Sequence, residues 1–138
     1  MKEACYISTD SSKMDADLIH TYLSQKSYWA QGRSKDLVKK SIANSLCFGA
    51  FTQSGEQVGF ARVATDYVVF AWLMDVFVVD DFKGQGIGQQ LLQAILTHAD
   101  LKAVNGIGLR TNDAQNFYRK YGFDTIAEPN TWMFKKNT

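Results

Sequence analysis

The stretch Val76-Phe77-Val78-Val79-Asp80-Asp81-Phe82-Lys83-Gly84-Gln85-Gly86-Ile87-Gly88-Gln89-Gln90-Leu91-Leu92 reads as an apolar strand, a short acidic turn, a glycine cluster and a helix that begins inside the cluster. Gly84, Gly86 and Gly88 let the backbone approach a ligand without side chains in the way. The first N–H groups of the helix have no partner within it and carry the positive end of its dipole. The segment therefore reads as a cradle for a phosphate-bearing ligand.

Known glycine-loop patterns narrow the ligand. A P-loop needs Gly, four residues and Gly-Lys-Ser/Thr, and no such string occurs. A dinucleotide fingerprint needs a third glycine where Gln89 stands, and an acidic residue about 20 positions on is missing as well. About half of the chain precedes the loop, whereas dinucleotide loops follow a first strand.

Working outward, residues 4–9 predict a first strand, and Ser12-Lys13-Met14-Asp15 predicts a capping-box start for a helix with Leu18, Ile19, Tyr22 and Leu23 on one face. Ser27 to Arg33 is a loop, and Ser34 caps a second helix with Leu37, Val38 and Ile42 inward. Leu46 to Thr52 and Gln57 to Ala64 form a hairpin across Gln53-Ser54-Gly55-Glu56, and Val68 to Val79 is the next strand. Beyond the loop, Ile87, Leu91, Leu92, Ile95 and Leu96 share a helix face, and Asn105 to Arg110 is a short strand reached by a parallel crossover. Thr111 or Asn112 caps a last helix, Ala114 to Tyr121, ended by Gly122, and strands follow at Phe123–Ala127 and Trp132–Phe134. The order is β-α-α-β-β-β-α-β-α-β-β.

Two features of this layout resemble the GNAT superfamily of N-acetyltransferases. Lys83-x-x-Gly86-x-Gly88 after an apolar strand is similar to that family's acyl-CoA pyrophosphate loop, with Lys83 where Arg or Gln is usual. Asp113-Ala114-Gln115-Asn116-Phe117-Tyr118-Arg119-Lys120-Tyr121-Gly122-Phe123 is similar to its Ala-x-x-x-Tyr-x-x-x-Gly-Phe ending. The resemblance implies an α+β fold (α/β/α layers): a mixed, mostly antiparallel sheet of six to seven strands with about four helices, built as one domain over residues 1–138. It implies acetyl-CoA as cofactor and no metal.

By the same resemblance, Val76, Phe77 and Val78 would line the acyl arm through their main chain. Lys83, Gly84, Gln85, Gly86, Ile87, Gly88 and Gln89 would hold the phosphates. Asn112 and Asn116 are further cofactor candidates, although the family's asparagine falls on Thr111. Tyr118 would be the general acid for the departing thiolate, a task that a phenol with a pKa near 10 suits; otherwise it is a core tyrosine beside Phe117 and Tyr121. Lys83 either pairs with a phosphate or is solvated.

Asp75 is the only charged side chain between Val68 and Val79. In a strand covered on both faces it is a general base, a group that orients the substrate ammonium, or a structural acid paired with Arg62 or with backbone amides at a strand irregularity. Trp29 and Arg33, in Tyr28-Trp29-Ala30-Gln31-Gly32-Arg33, are the acceptor-site candidates: aromatic walls with an arginine suit a planar or carboxylate-bearing amine, unless Trp29 only staples the two helices. His20 reads as structural or exposed.

Fifteen basic and fourteen acidic residues leave a net charge of +1 with no run of five like charges, so neither a nucleic-acid tail nor a polybasic membrane anchor is expected. Apolar runs too short to span a bilayer and no signal-like start imply a cytoplasmic, soluble protein without a membrane partner. Cys5 and Cys47 lack metal-type spacing and are expected to be small buried hydrophobes. Transfer from acetyl-CoA to a primary amine of a small molecule, directly within a ternary complex, is the expected function. The alternatives are an acyl-CoA-binding regulatory module without transfer and a protein or peptide N-acetyltransferase. Edge strands near the C-terminus suggest a homodimer.

Overall fold

The computed structural model describes residues 4–137. Five strands, β1 (Cys5–Ser8), β2 (Leu46–Thr52), β3 (Gln57–Thr65), β4 (Ala71–Val78) and β5 (Gly108–Leu109), form one sheet in the order β1-β2-β3-β4-β5. The first four are antiparallel neighbours, and β5 runs parallel to β4. The helices are α1 (Ala16–Lys26), α2 (Lys35–Ala43), α3 (Ile87–Thr97), α4 (Ala99–Lys102) and α5 (Gln115–Arg119).

The sheet carries a buried cluster on each face. On one side Phe48, Ala61, Val63 and Leu73 pack against Ile87, Leu91, Leu92 and Ile95 of α3. On the other, Cys47, Phe60 and Phe77 pack against Ile19 and Leu23 of α1 and Val38 of α2. Phe77 stacks on Tyr22, with ring centroids 4.2 Å apart.

β4 changes phase midway. Phe60 pairs with Phe77 but Arg62 pairs with Met74, so β4 contains one residue more than β3 across this interval. Asp75 absorbs it with φ 57, a left-handed conformation that Asp and Asn tolerate better than other side chains. Leu73 consequently belongs to the α3 cluster and Phe77 to the α1–α2 cluster, although both are odd-numbered. β5 pairs with β4 only at Trp72↔Gly108 and Leu73↔Leu109, so the two strands part just before the bulge.

Several expectations are corrected. Ser12 does not open α1; Asp15 does, accepting Leu18 N–H at 3.0 Å, while Ser11–Lys13 is a 3-10 turn capped by Asp10. Leu37 faces outward, 57% exposed, because only Val38 and Ile42 of that face reach the core. β4 starts at Ala71 and not Val68, because the Asp66 carboxylate accepts the N–H groups of Val68, Val69 and Phe70, each at 2.9 Å, and ties them into a turn. α5 is shorter than expected, and α4 is an additional turn.

The sheet has five strands where six to seven were expected: residues 123–127 and 132–134 carry no strand. The physical reason lies at β5, whose two paired residues offer almost no ladder for a further strand. Trp132 instead stacks on Trp72, with centroids 5.4 Å apart, and Met133 and Phe134 stay exposed.

Candidate active site

The glycine segment forms the start of α3. A 3-10 turn at Asp80–Phe82 follows β4, then Gly84 (φ 78) and Gly86 (φ 83) take left-handed conformations open to glycine, and Gly86 caps the helix. Gln90 N–H closes the first helical turn onto Gly86 O at 3.0 Å, so the amides before it point out of the helix end. Gly88 is where α5 approaches: a Cβ there would lie 3.6 Å from the Phe117 ring. The Gln85 side-chain oxygen is buried, and no described residue donates to it.

Lys83 turns back to Asp80, 3.0 Å away, and lies over the Tyr22 ring. Lys26 pairs with the same carboxylate. These ion pairs hold the Asp80 carboxyl below its ordinary range and the Lys83 ammonium above its own. Both partners are about half exposed, so the Lys83 pair is weak and exchangeable.

Where β4 and β5 part, a cavity of about 500 Å³ opens, lined by Tyr28, Trp29, Arg33, residues 72–76, residues 109–114 and Tyr118. The α1–α2 loop, β4, β5 with the loop after it, and α5 all contribute to its wall. Asp75 is at its base with its side chain 1% exposed. Its Oδ1 accepts from Trp29 Nε1 at 2.9 Å; its Oδ2 accepts from Arg33 Nη1 at 2.8 Å and Arg62 Nε at 2.9 Å. Three of about four lone-pair sites are thereby taken.

Arg62 also donates from Nη1 to Ser45 Oγ, 3.0 Å, and from Nη2 to Met74 Sδ, 3.5 Å. The Arg33 side chain bonds only Asp75 among the described residues, and its Nε and Nη2 have no acceptor there. The Tyr28 hydroxyl accepts Asn112 N–H at 3.0 Å, joining the α1–α2 loop to the β5–α5 loop.

Tyr118 lies in α5, with its ring between Phe117 and Phe123, at 5.2 and 5.7 Å. No described residue hydrogen-bonds its hydroxyl. Burial, and then the charges of Tyr28 and Asp113, raise its pKa above the ordinary value. Burial pushes the Cys47 thiol up to about 11, with Arg62 opposing and Asp75 adding to the shift. Cys47 is therefore a neutral thiol.

The structure brings Asp75, Val76, Asn112, Trp29, Arg33 and Tyr118 together around the cavity. Phe77 is core on its side-chain face. Asn116 is exposed and accepts from Arg119 at 3.2 Å. Neither Thr111 nor Asn112 caps α5: its N-cap is Ala114, which has no side-chain cap bond, and the Thr111 Oγ1 accepts Ala114 N–H at 3.0 Å in the turn before the helix. Sequence reasoning missed Tyr28 as a bridging residue and Trp72 as a wall; the run of exposed aromatics Tyr28 and Trp29 in one loop was the available signal. Among the described residues no group of three His, Cys, Asp or Glu is placed to hold a metal, and no helix is long and apolar enough to cross a membrane.

The residues fit a phosphate-bearing acyl carrier: open left-handed glycines and outward amides on one side, and a split strand pair leading into a half-open cavity on the other. Such a sheet, opened beside a bulge between a glycine-capped helix and a cavity, defines an acyltransferase-type fold. The acetyltransferase (GNAT) domain family matches residues 43–125, and the chain belongs to that family. A crystal structure from Xanthomonas campestris pv. campestris, described as belonging to the GNAT family, superimposes with a TM-score of 0.94 at 40% identity, covering 99% of this chain and 96% of that one. The peptidyl-lysine N-acetyltransferase YjaB of Salmonella typhimurium is 30% identical over 80% of this chain and 70% of its own. An acetyltransferase-family protein of Gibberella zeae is 29% identical over 64% of this chain, which spans 60% of that relative's length.

Proposed function

We propose that the chain is an acetyl-CoA-dependent N-acetyltransferase that acetylates a primary amine of a small molecule directly, in a ternary complex. The observation that carries this reading is the continuity from the glycine cradle along β4 to the cavity holding Tyr118. Gly84, Gly86 and the amides of residues 87–89 would hold the pyrophosphate, with Lys83 released from its exposed pair toward it. Val76, Phe77 and Val78 would offer β4 main chain to the acyl arm beyond the last β5 pairing at Leu73. Acetyl-CoA, when bound, supplies the activated acetyl thioester.

The chain's own residues do the rest. Walls of Trp29, Trp72 and Tyr28 strip water from an entering amine, which favours its neutral, nucleophilic form. The Tyr118 phenol, kept protonated by its raised pKa, donates to the departing sulfur as the C–S bond breaks, and the resulting phenolate takes up the proton that the acetylated nitrogen loses. Asp75, saturated by Trp29, Arg33 and Arg62, acts as a positioning residue that holds two cavity walls. The neutral Cys47 supports transfer without an acyl-cysteine.

A second reading, acetylation of a peptide lysine, is favoured by the Salmonella relative. Against it stands the Tyr28–Asn112 bridge, which joins two rims of the cavity where an extended peptide would have to lie. Thiol release from acetyl-CoA with a panel of small amines and lysine peptides tests both. The proposal expects saturable release with a subset of the small amines. Release with peptides alone sinks the small-molecule reading, and saturable CoA binding with no amine-dependent release supports a non-catalytic module.

A further inference from the structure

We propose, resting on the transferase reading, that the acceptor carries an anionic group, a carboxylate beside an aromatic or other planar body, and that the open edge of Arg33 selects it. Two guanidiniums, Arg33 and Arg62, share one carboxylate, Asp75, which leaves the cluster at +1. The three side chains are only 24%, 11% and 1% exposed. A net charge so poorly hydrated calls for a counter-charge. The other charged groups of the lining, Arg110 and Asp113, are exposed and of opposite sign, so the formal charge of cluster and lining together stays at +1.

The two arginines differ in what they have left to offer. Each Arg62 nitrogen has a partner, whereas Arg33, which lines the cavity, is pinned by Nη1 and keeps Nε and Nη2 without an acceptor among the described residues. Those two atoms form one edge of a planar fork, the geometry that binds a carboxylate bidentately. Neither atom is buried. Asp75 fixes this edge from behind, and through Oδ1 it fixes Trp29 as the adjacent wall, so one buried acid sets both an anion contact and a ring contact.

The positive charge of the same cluster disfavours the ammonium form of an amine beside it, so an amine carried in next to the bound carboxylate is pushed toward its neutral, nucleophilic form. An amine without an acid group therefore has no partner for the cluster. A free amino acid with an aromatic side chain satisfies all of these demands, and its decarboxylated counterpart does not.

The test separates binding from turnover. Quenching of tryptophan fluorescence reports the cavity, since Trp29 and Trp72 line it. Titration with 3-phenylpropanoate and 3-phenylpropanol, which lack an amine, is expected to show at least tenfold tighter binding of the carboxylate. Arg33→Gln should erase that preference and Arg33→Lys should keep part of it, with coenzyme A affinity unchanged in both as a check on folding. Equal binding of acid and alcohol, or a preference that survives Arg33→Gln, overturns the inference. In parallel, thiol release is compared for phenylalanine against phenethylamine and tyrosine against tyramine. Release with the decarboxylated amines at equal or higher kcat/KM overturns the anion site and leaves the transferase standing. A carboxylate preference in binding with no release from any amine does the reverse.

Discussion

The two ends of the proposed site are built by opposite means. The cradle at the start of α3 is backbone: left-handed Gly84 and Gly86, outward amides, and exposed ion pairs at its margin. The cavity at the β4 bulge is side chain: a buried carboxylate gathers Trp29 and Arg33 from the α1–α2 loop and Arg62 from β3. A backbone site holds a ligand whose shape is constant, and it costs the fold little. A side-chain site can be tailored to one acceptor, but it ties specificity to stability. Changes in the cradle should therefore alter coenzyme A affinity and leave acceptor use unchanged, whereas changes in the cavity should alter acceptor use and, at its buried anchor, cost the most stability.

The largest expected effect is on chemistry. Tyr118→Phe keeps the ring contacts with Phe117 and Phe123 but removes the proton donor, and kcat should fall about 10²-fold with coenzyme A affinity unchanged. A kcat within twofold of the native value removes Tyr118 from the mechanism. The raised pKa gives a second readout. Ionisation is penalised in the folded state, so this stabilising contribution is intact below the ordinary value of 10.0 and is lost as pH rises through the folded pKa. Chemical denaturation from pH 9 to 11 should show a shallower loss in Tyr118→Phe than in the native chain.

Next comes the cavity's anchor. Asp75→Ala leaves two guanidiniums without their acid and places alanine at φ 57, so unfolding free energy should fall by about 3 kcal/mol or more. Asp75→Asn accommodates the backbone and should recover about 1 kcal/mol of that loss, the left-handed part. Equal stability of both variants with the native chain would mean that the network does not hold the bulge.

On the other side of the comparison, Gly86→Ala should cost about 1 to 2 kcal/mol of stability from its φ of 83 and weaken coenzyme A binding severalfold, with acceptor KM unchanged. The smallest effect is expected for Tyr28→Phe, which loses one hydrogen bond to Asn112, about 1 kcal/mol by thermal unfolding, and should broaden the accepted amines. If Tyr28→Phe weakens coenzyme A binding more than Gly86→Ala does, the division between the two ends fails.

The same division explains what could be read from the chain. The cradle is local: glycine spacing, the preceding apolar strand and the helix face of Ile87, Leu91, Leu92 and Ile95 lie within twenty residues, and the structure reproduces them. The hairpin at Gly55 and the Ser34 cap are equally local. Asp75 was visible as an anomaly and Arg62, 13 residues away, as a partner for it, but Arg33 and Trp29 lie 42 and 46 residues away, and no periodicity reports that they reach it. The bulge was legible only as one alternative, a strand irregularity at Asp75, because an Asp at φ 57 leaves no glycine signal. The C-terminal strands failed for the same reason in reverse: residues 123–127 and 132–134 have strand-like composition, but a strand needs an edge, and Gly108–Leu109 provides only two residues of one.

Bisubstrate initial-rate kinetics, with acetyl-CoA and the best amine of the panel varied together and thiol release as the signal, test the central claim most directly. The account predicts intersecting reciprocal plots, with Gly86→Ala raising KM for acetyl-CoA alone and Arg33→Gln raising KM for the amine alone. Parallel plots, or a single variant that raises both constants together, would contradict it.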